Sequence, residues 1–104
     1  MKRIASIQDV SCLGRCSQTV ALPVVSAMGV ECAILPTAVL STHTSFPDFR
    51  CLDLTDQLLP VARHWKAQGV RFDALYTGYL ASDRQVAVVL ELLELLREEG
   101  TLLF

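Results

Sequence analysis

Apolar runs of strand length alternate with helix-length segments along this chain, and the order β-α-β-α-β-α-β predicts an α/β fold. Such an order calls for a parallel sheet of βαβ units with right-handed crossovers, covered by helices in three layers. A second observation supports it: capping residues and glycines stand where each helix should start and stop. The third is size. A chain of 104 residues makes one domain at most, so residues 1–104 are read as a single, partial α/β domain.

Arg3–Gln8 (RIASIQ) reads as a short buried strand and Asp9–Arg15 (DVSCLGR) as the loop after it. Ser17 is placed to cap a helix that runs to Met28 and stops at Gly29, with a bend or a late start at Pro23. Val30–Leu35 is the second strand, closed by Pro36. The stretch PTAVLSTHTSF then becomes a hydroxyl-rich loop around His43, extended by the turn residues Pro47 and Asp48. Asp53 or Thr55 caps the next helix, whose main part is expected from Pro60 to Gln68, before Gly69. Asp73–Thr77 (DALYT) is the third strand, followed by Gly78, Tyr79 and Leu80. Ser82 opens a capping box with Gln85. Val86, Val89, Leu90 and Leu93 share one helical face; Val88, Leu92 and Leu95 add a second, which predicts cover on both sides. Gly100 ends the helix, and Thr101–Phe104 (TLLF) starts a fourth strand, in which the chain reads as cut off.

In open parallel sheets the ligand crevice lies outside the carboxyl ends of the strands. Asp9 after the first strand, Thr42–Thr44 after the second, and Gly78 and Tyr79 after the third should therefore converge on one edge. Asp9 accepts hydrogen bonds, Thr44 donates and accepts them, and Tyr79 offers a ring for stacking. Gly78 would let the backbone come close to a ligand. Structural roles stay open for the same residues: Asp9 as a turn residue, His43 as a hydrogen-bonded loop histidine, Tyr79 as a core-edge aromatic. Gly14 and Arg15, before a helix start, make a weak anion site. His64 and Trp65 fall within a helix and read as surface and core. No GxGxxG occurs, and no GxxxxGK followed by Ser or Thr, so neither nucleotide fingerprint is present. A phospho-receiver would need an acid where Thr77, Gly78 and Tyr79 stand.

The net charge of −2 and the pI near 5.5 supply no basic patch for nucleic acid. The longest apolar stretch, Val86–Leu96, is interrupted by Glu91 and Glu94 and is too short to cross a bilayer. The opening MKRIASIQD has no apolar h-region and no cleavage site. Cys12, Cys16, Cys32 and Cys51 lack zinc-site spacing, so free thiols and a cytoplasmic location are expected. Hydrophobic residues are 52 % of the chain and charged ones 19 %, an excess that predicts apolar surface awaiting cover.

SIQD after the first strand, then PTAVLSTHTSF, then FDALYTGYLASDRQ, together resemble the N-terminal part of bacterial pyridoxal/pyridoxamine (vitamin B6) kinases. These belong to the ribokinase-like superfamily, with a Rossmann-like three-layer fold. The resemblance covers essentially the whole chain but only the opening third to two-fifths of a full-length member. It implies an ATP- and Mg²⁺-dependent transfer of the γ-phosphate to the 5′-hydroxyl of pyridoxal, pyridoxamine or pyridoxine. Asp9 falls where the family often holds a serine that hydrogen-bonds the pyridine; the aspartate matches a subgroup with SIQD-type starts. Thr44 matches the ring-binding threonine, with His43 beside it, and Tyr79 matches the aromatic that stacks on the pyridine. Asp9, His43, Thr44 and Tyr79 are thus the candidate substrate-binding residues. The family's catalytic aspartate, its Mg²⁺-associated acids and most of its ATP site lie beyond Phe104. No catalytic, cofactor-binding or metal residue is expected in this chain, which should be inactive alone.

Hydroxymethylpyrimidine kinases share the fold and a similar ring; their first loop is typically richer in glycine and serine than DVSCLGR, and the T-H-T loop favours the B6 side. A different class is a non-catalytic binding or assembly half-domain that pairs through its apolar surface. A flavodoxin-like domain is disfavoured by the lack of a phosphate-cradling loop. The expected partners are a B6 vitamer and a second copy in a homodimer, with neither nucleic acid nor membrane. An exposed apolar edge strand predicts association or poor solubility for the isolated chain.

Overall fold

Strand β1 (Arg3–Ser11) lies at the centre of a five-stranded sheet of order β3-β2-β1-β4-β5 in the computed structural model, which describes residues 2–14 and 16–104. The remaining elements are α1 (Gln18–Ala27), β2 (Glu31–Leu40), β3 (Cys51–Asp53), α2 (Thr55–Ala67), β4 (Ala74–Thr77), α3 (Asp83–Leu96) and β5 (Leu102–Leu103). β1 pairs in parallel with β2 and β4, and β4 with β5, so the sheet of βαβ units read from the sequence is present. The sequence reading did not include β3, which runs antiparallel to β2 at one edge. The chain moves from β1 outward to β2, then crosses to β4 on the other side. The strand order therefore reverses beside β1, where open α/β sheets form their crevice.

Helices α2 and α3 share one face of the sheet, and α1 lies on the other. Ala5 and Ile7 of β1, Leu35 of β2 and Leu75 of β4 meet Leu58 and Ala62 of α2 and Val89, Leu92 and Leu96 of α3 in one buried cluster. The opposite face shows Ile4, Ser6, Gln8 and Tyr76 to Val20, Ala21, Val24 and Val25 of α1 across an open groove. This is a three-layer arrangement with one layer a single helix deep.

Two strands outrun their expected ends. β2 continues through Pro36 to Leu40, because β3 pairs only from Ala38 onward and that edge of β2 is free of a partner at Pro36. Proline, lacking an N–H, is tolerated at such an edge. The register then slips: Gln8 faces Pro36 and Val10 faces Val39, so β2 carries one extra residue in a bulge. β1 pairs past the slip to Ser11, which places Asp9 inside the strand rather than in the following loop.

The helix starts also differ in detail. Ser17 stands before α1, but its hydroxyl does not cap; the Thr19 hydroxyl accepts from Cys16 N–H at 3.0 Å instead. Pro23 lies inside α1. α2 begins at Thr55, by the expected cap residues Asp53 and Thr55, and runs through Pro60 without a separate start there; Asp53 Oδ1 accepts from Thr55 N–H at 2.8 Å and fixes the first turn. At α3, Ser82 Oγ accepts from Gln85 N–H at 3.1 Å as the capping box requires. Gln85 Oε1 reaches back one residue further than expected and accepts from Ala81 N–H at 2.9 Å. The face with Val88, Leu92 and Leu95 packs against the core, and the incomplete cover falls on the other face, where Val86 is 39 % and Leu90 59 % exposed. Among the described residues no helix is long and apolar enough to cross a membrane.

Candidate functional site

A cavity of about 630 Å³ opens at the carboxyl ends of β1, β2 and β4. Asp9, His43, Thr44 and Tyr79, the four residues singled out from the sequence, all line it. Three different elements deliver them, as convergent strand ends in a doubly wound sheet should. Asp9 comes from the last turn of the β1 ladder, His43 and Thr44 from the β2–β3 loop, and Tyr79 from the segment after β4.

Asp9 is held from two sides. Ser17 Oγ donates to its Oδ1 at 2.8 Å, and Ser11 Oγ to its Oδ2 at 3.4 Å. That explains why Ser17 leaves the helix end uncapped: its hydroxyl is aimed at the cavity wall. Ser17 also holds a left-handed backbone, φ +54°, and bridges to Val10. Left-handed non-glycine residues cost energy and recur at functional sites.

The loop Ser41–Arg50 closes as a hairpin turn between β2 and β3. Ser41 N–H donates to Arg50 O, and Arg50 N–H donates to Ser41 Oγ, both at 2.8 Å. Thr42 Oγ1 donates to His43 O at 3.0 Å. Two hydroxyls of the hydroxyl-rich loop thus serve its own closure, while Thr44 faces the cavity. His43 Nδ1 accepts from Ser45 N–H at 3.3 Å, which leaves Nε2 to carry the ring proton as a donor. Its ring meets Phe46 edge-on at 4.7 Å. A Cβ at Gly14 would come within 3.2 Å of His43 Cδ2, and Gly14 has φ +112°, so glycine there lets the β1–α1 loop close over the imidazole. Arg15, the other half of the weak anion site, lies outside the described residues.

Tyr79 is 81 % exposed at the rim, which does not fit a ring packed as a core-edge aromatic. Gly78 does not serve the ligand side as expected. A Cβ there would fall 2.6 Å from Gln8 Oε1 and 2.7 Å from Gln8 Cβ, so the missing side chain makes room for Gln8.

The floor and far wall were not singled out from the sequence. Thr37 and Gln85 line the floor, where Gln85 Nε2 donates to Thr37 O at 3.3 Å and to Thr55 Oγ1 at 3.2 Å. One amide thereby ties β2, α2 and α3 together beneath the cavity. Phe49, Cys51 and Cys16 complete the wall. The run FPDFRCLD carried a usable signal for Phe49, since Phe46 and Phe49 flank the turn residues Pro47 and Asp48 after a strand. Nothing local marked Gln85 beyond its capping role. Among the described residues, no three His, Cys, Asp or Glu side chains group so as to hold a metal ion.

Comparison with solved structures gives close matches over nearly the whole chain. A protein of Bacteroides thetaiotaomicron described as a phosphomethylpyrimidine kinase is 46 % identical, with TM-score 0.94, over 98 % of this chain and 35 % of its own. A second crystal form of that protein contains pyridoxal. Pyridoxal kinase of Lactobacillus plantarum is 33 % identical, with TM-score 0.84, over 99 % of this chain and 36 % of its own. The fold is ribokinase-like. At 21 % identity and TM-score 0.79, pyridoxal kinase of Leishmania donovani, crystallised with ADP and pyridoxamine, shares this ribokinase-like fold over 97 % of the chain and 38 % of its own. The chain spans about a third of the length of the structures it matches, as the resemblance to the opening part of a vitamin B6 kinase implies. No protein-family profile matches it, and a search of curated proteins found no match.

Proposed function

We propose that this chain forms the ring-binding part of an ATP-dependent kinase that phosphorylates the 5′-hydroxyl of a B6 vitamer. The observation that carries the reading is the convergence of Asp9, His43, Thr44 and Tyr79 on one cavity at the strand ends. The 46 % identity to a protein crystallised with pyridoxal supports the choice of ring. In this reading Asp9 and Thr44 hydrogen-bond the pyridine substituents, His43 Nε2–H donates to an oxygen, and the Tyr79 ring stacks on the heterocycle. ATP and Mg²⁺ serve the whole protein. The chain alone binds without turnover, because phosphoryl transfer rests on positioning and neutralising the phosphates and no group for that is among these cavity residues. The whole protein is read as a cytoplasmic homodimer.

Titration calorimetry with pyridoxal, followed by incubation with ATP and Mg²⁺, tests this. Saturable binding without pyridoxal phosphate is expected, and Tyr79→Ala should weaken binding roughly three- to tenfold by removing one stacked ring. Absence of binding overturns the reading; product formation by the 104-residue chain overturns its inactivity.

A second reading, a hydroxymethylpyrimidine kinase, is favoured by the description of the Bacteroides thetaiotaomicron protein. Competition between pyridoxal and hydroxymethylpyrimidine for the cavity separates the two.

A further inference from the structure

Tyr79 stands on a segment, residues 78–81, that has neither helix nor strand, and its ring is 81 % exposed. Three contacts hold that segment. Gly78 N–H donates to Ile7 O at 3.0 Å, Leu80 packs against the buried cluster, and Ala81 N–H donates to Gln85 Oε1 at 2.9 Å. The first two rest on the sheet and the core. The third depends on one polar side chain, from the first turn of α3, which is itself buried.

The orientation of the Gln85 amide follows from its neighbours. Ala81 N–H can only donate and Thr37 O can only accept, so Oε1 faces the first and Nε2 the second. Nε2 also donates to Thr55 Oγ1 at 3.2 Å, and the Thr55 hydroxyl donates in turn to Asp53 Oδ1. Every donor from Ala81 to Thr55 therefore points toward the Asp53 carboxylate, an arrangement in which each bond strengthens the next. Both amide hydrogens are engaged by protein groups, so Gln85 has no donor left for a ligand although it lines the cavity.

We propose that Gln85 is a positioning residue for ring binding: its bond to Ala81 N–H fixes the segment that presents Tyr79 at the rim. The inference rests on the B6 reading, in which Tyr79 stacks on the heterocycle. An exposed ring stacks well only where the backbone beneath it is already in place, since ordering that backbone on binding would offset the gain. Through Thr37 O and Thr55 Oγ1 the same amide fastens the rim segment to β2 and to the start of α2.

The two ends of the amide separate positioning from folding. Gln85→Met keeps the length of the side chain and removes both ends. Gln85→Glu keeps an oxygen for Ala81 N–H but sets a second oxygen against Thr37 O. Thr55→Val takes away one partner of Nε2 and leaves the bond to Ala81. A role in folding alone lowers stability in all three and leaves the contribution of Tyr79 to binding untouched. Positioning predicts that this contribution falls in Gln85→Met and survives in the other two.

A double-mutant cycle read by calorimetry with pyridoxal, alongside amide hydrogen exchange, is the test. In the wild type, Tyr79→Ala should weaken binding roughly three- to tenfold. In Gln85→Met the same truncation should cost less than about twofold, and Gln85→Met alone should already bind roughly threefold more weakly. Exchange of Ala81 N–H should quicken in Gln85→Met, while the amides of Leu75 and Val89 stay slow. Where Gln85→Met folds poorly, Gln85→Glu and Thr55→Val carry the test, each keeping the full Tyr79 effect at a lowered melting temperature. Equal Tyr79 effects in the wild type and Gln85→Met, unchanged Ala81 exchange, or loss of the Tyr79 effect in Gln85→Glu or Thr55→Val overturns the inference and leaves the B6 reading standing. A wild type that does not bind pyridoxal removes both.

Discussion

On the α2/α3 side of the sheet, Ala5, Ile7, Leu35 and Leu75 point into Leu58, Ala62, Val89 and Leu92, and all of these side chains are essentially sealed from solvent. On the α1 side the same strands present Ile4, Ser6, Gln8, Ile34 and Tyr76, with Ile34 40 % and Tyr76 42 % exposed. The contrast is chemical as well as geometric. Behind α1 the buried groups include an amide network: Gln8 Nε2 donates to Ser6 Oγ at 2.9 Å, and Gln18 Nε2 donates to Ser6 O at 2.7 Å. One face is a finished core of aliphatic side chains, and the other is a half-covered surface whose buried part is polar. Stability should therefore reside on the first face and tolerance on the second.

Truncating the finished face is expected to have the largest effect. Leu75→Ala and Leu92→Ala each remove a fully buried side chain and should destabilise by about 2–5 kcal/mol. Tyr76→Ser and Ile34→Thr, on the same strands but facing the other way, should cost less than about 1 kcal/mol and improve solubility by shrinking an apolar patch. Urea unfolding of the four variants decides it. Equal losses on the two sides would mean that the faces do not differ as their burial suggests.

Gly78→Ala is expected next. It probes the seam where the α1-side polar network meets the cavity edge. The added Cβ would approach Gln8 Cβ to 2.7 Å, and that atom is anchored to β1 and cannot swing away. Overpacking of this kind costs about 1–3 kcal/mol. Gln8→Ala should not rescue the variant, because it keeps the offending Cβ, whereas Gln8→Gly should. Rescue by Gln8→Ala would show that the far amide end is the obstacle and that the β1–β4 contact is looser than the distances imply.

This seam also marks what the sequence could and could not reveal. The alternation of elements was plain because each helix carries its own periodicity and stop residues, and Ser82 with Gln85 announces α3 through local chemistry alone. The pocket side chains Asp9, His43, Thr44 and Tyr79 were readable because each comes at or after the end of an apolar run in chain order. β3 was not, since three residues with no buried side chain among them carry no pattern; only the pairing of Ala38 to Asp53 and Leu40 to Cys51 makes them a strand. Pro36 misled for a similar reason: whether a proline stops a strand depends on whether a neighbouring strand needs its N–H, and β3 pairs with β2 only from Ala38 onward. Gly78 was assigned to the ligand because the side chain filling its space, Gln8, comes from a strand seventy residues earlier. Gln85 was read as a cap, yet its other amide end holds Thr37 and Thr55 under the cavity. Each miss is a contact between distant segments.

The smallest effect is expected at Asp53, which starts α2 and so anchors the finished face at its cavity end. Hydrogen bonds from the Thr55 hydroxyl and then from the Thr55 N–H hold its carboxyl below the ordinary value of 3.8, with a lesser contribution from Arg84. A carboxyl whose pKa is lowered by folding contributes stability above its unfolded value, and that contribution is lost as pH falls through the folded one. Asp53 is exposed, so solvent screens much of the effect. Asp53→Ala should accordingly cost about 1 kcal/mol or less at neutral pH, the usual scale for a lost helix-start acceptor. The gap between wild type and variant should narrow as pH is lowered from roughly 7 to roughly 2, because the wild-type carboxyl then gains a proton and its charge-assisted bonds weaken. Urea midpoints measured across that range report it directly. A gap that stays constant would mean that the Asp53 side chain helps α2 through packing or turn geometry and not through its charge, and the α2 start would then be as indifferent to pH as the aliphatic layer it supports.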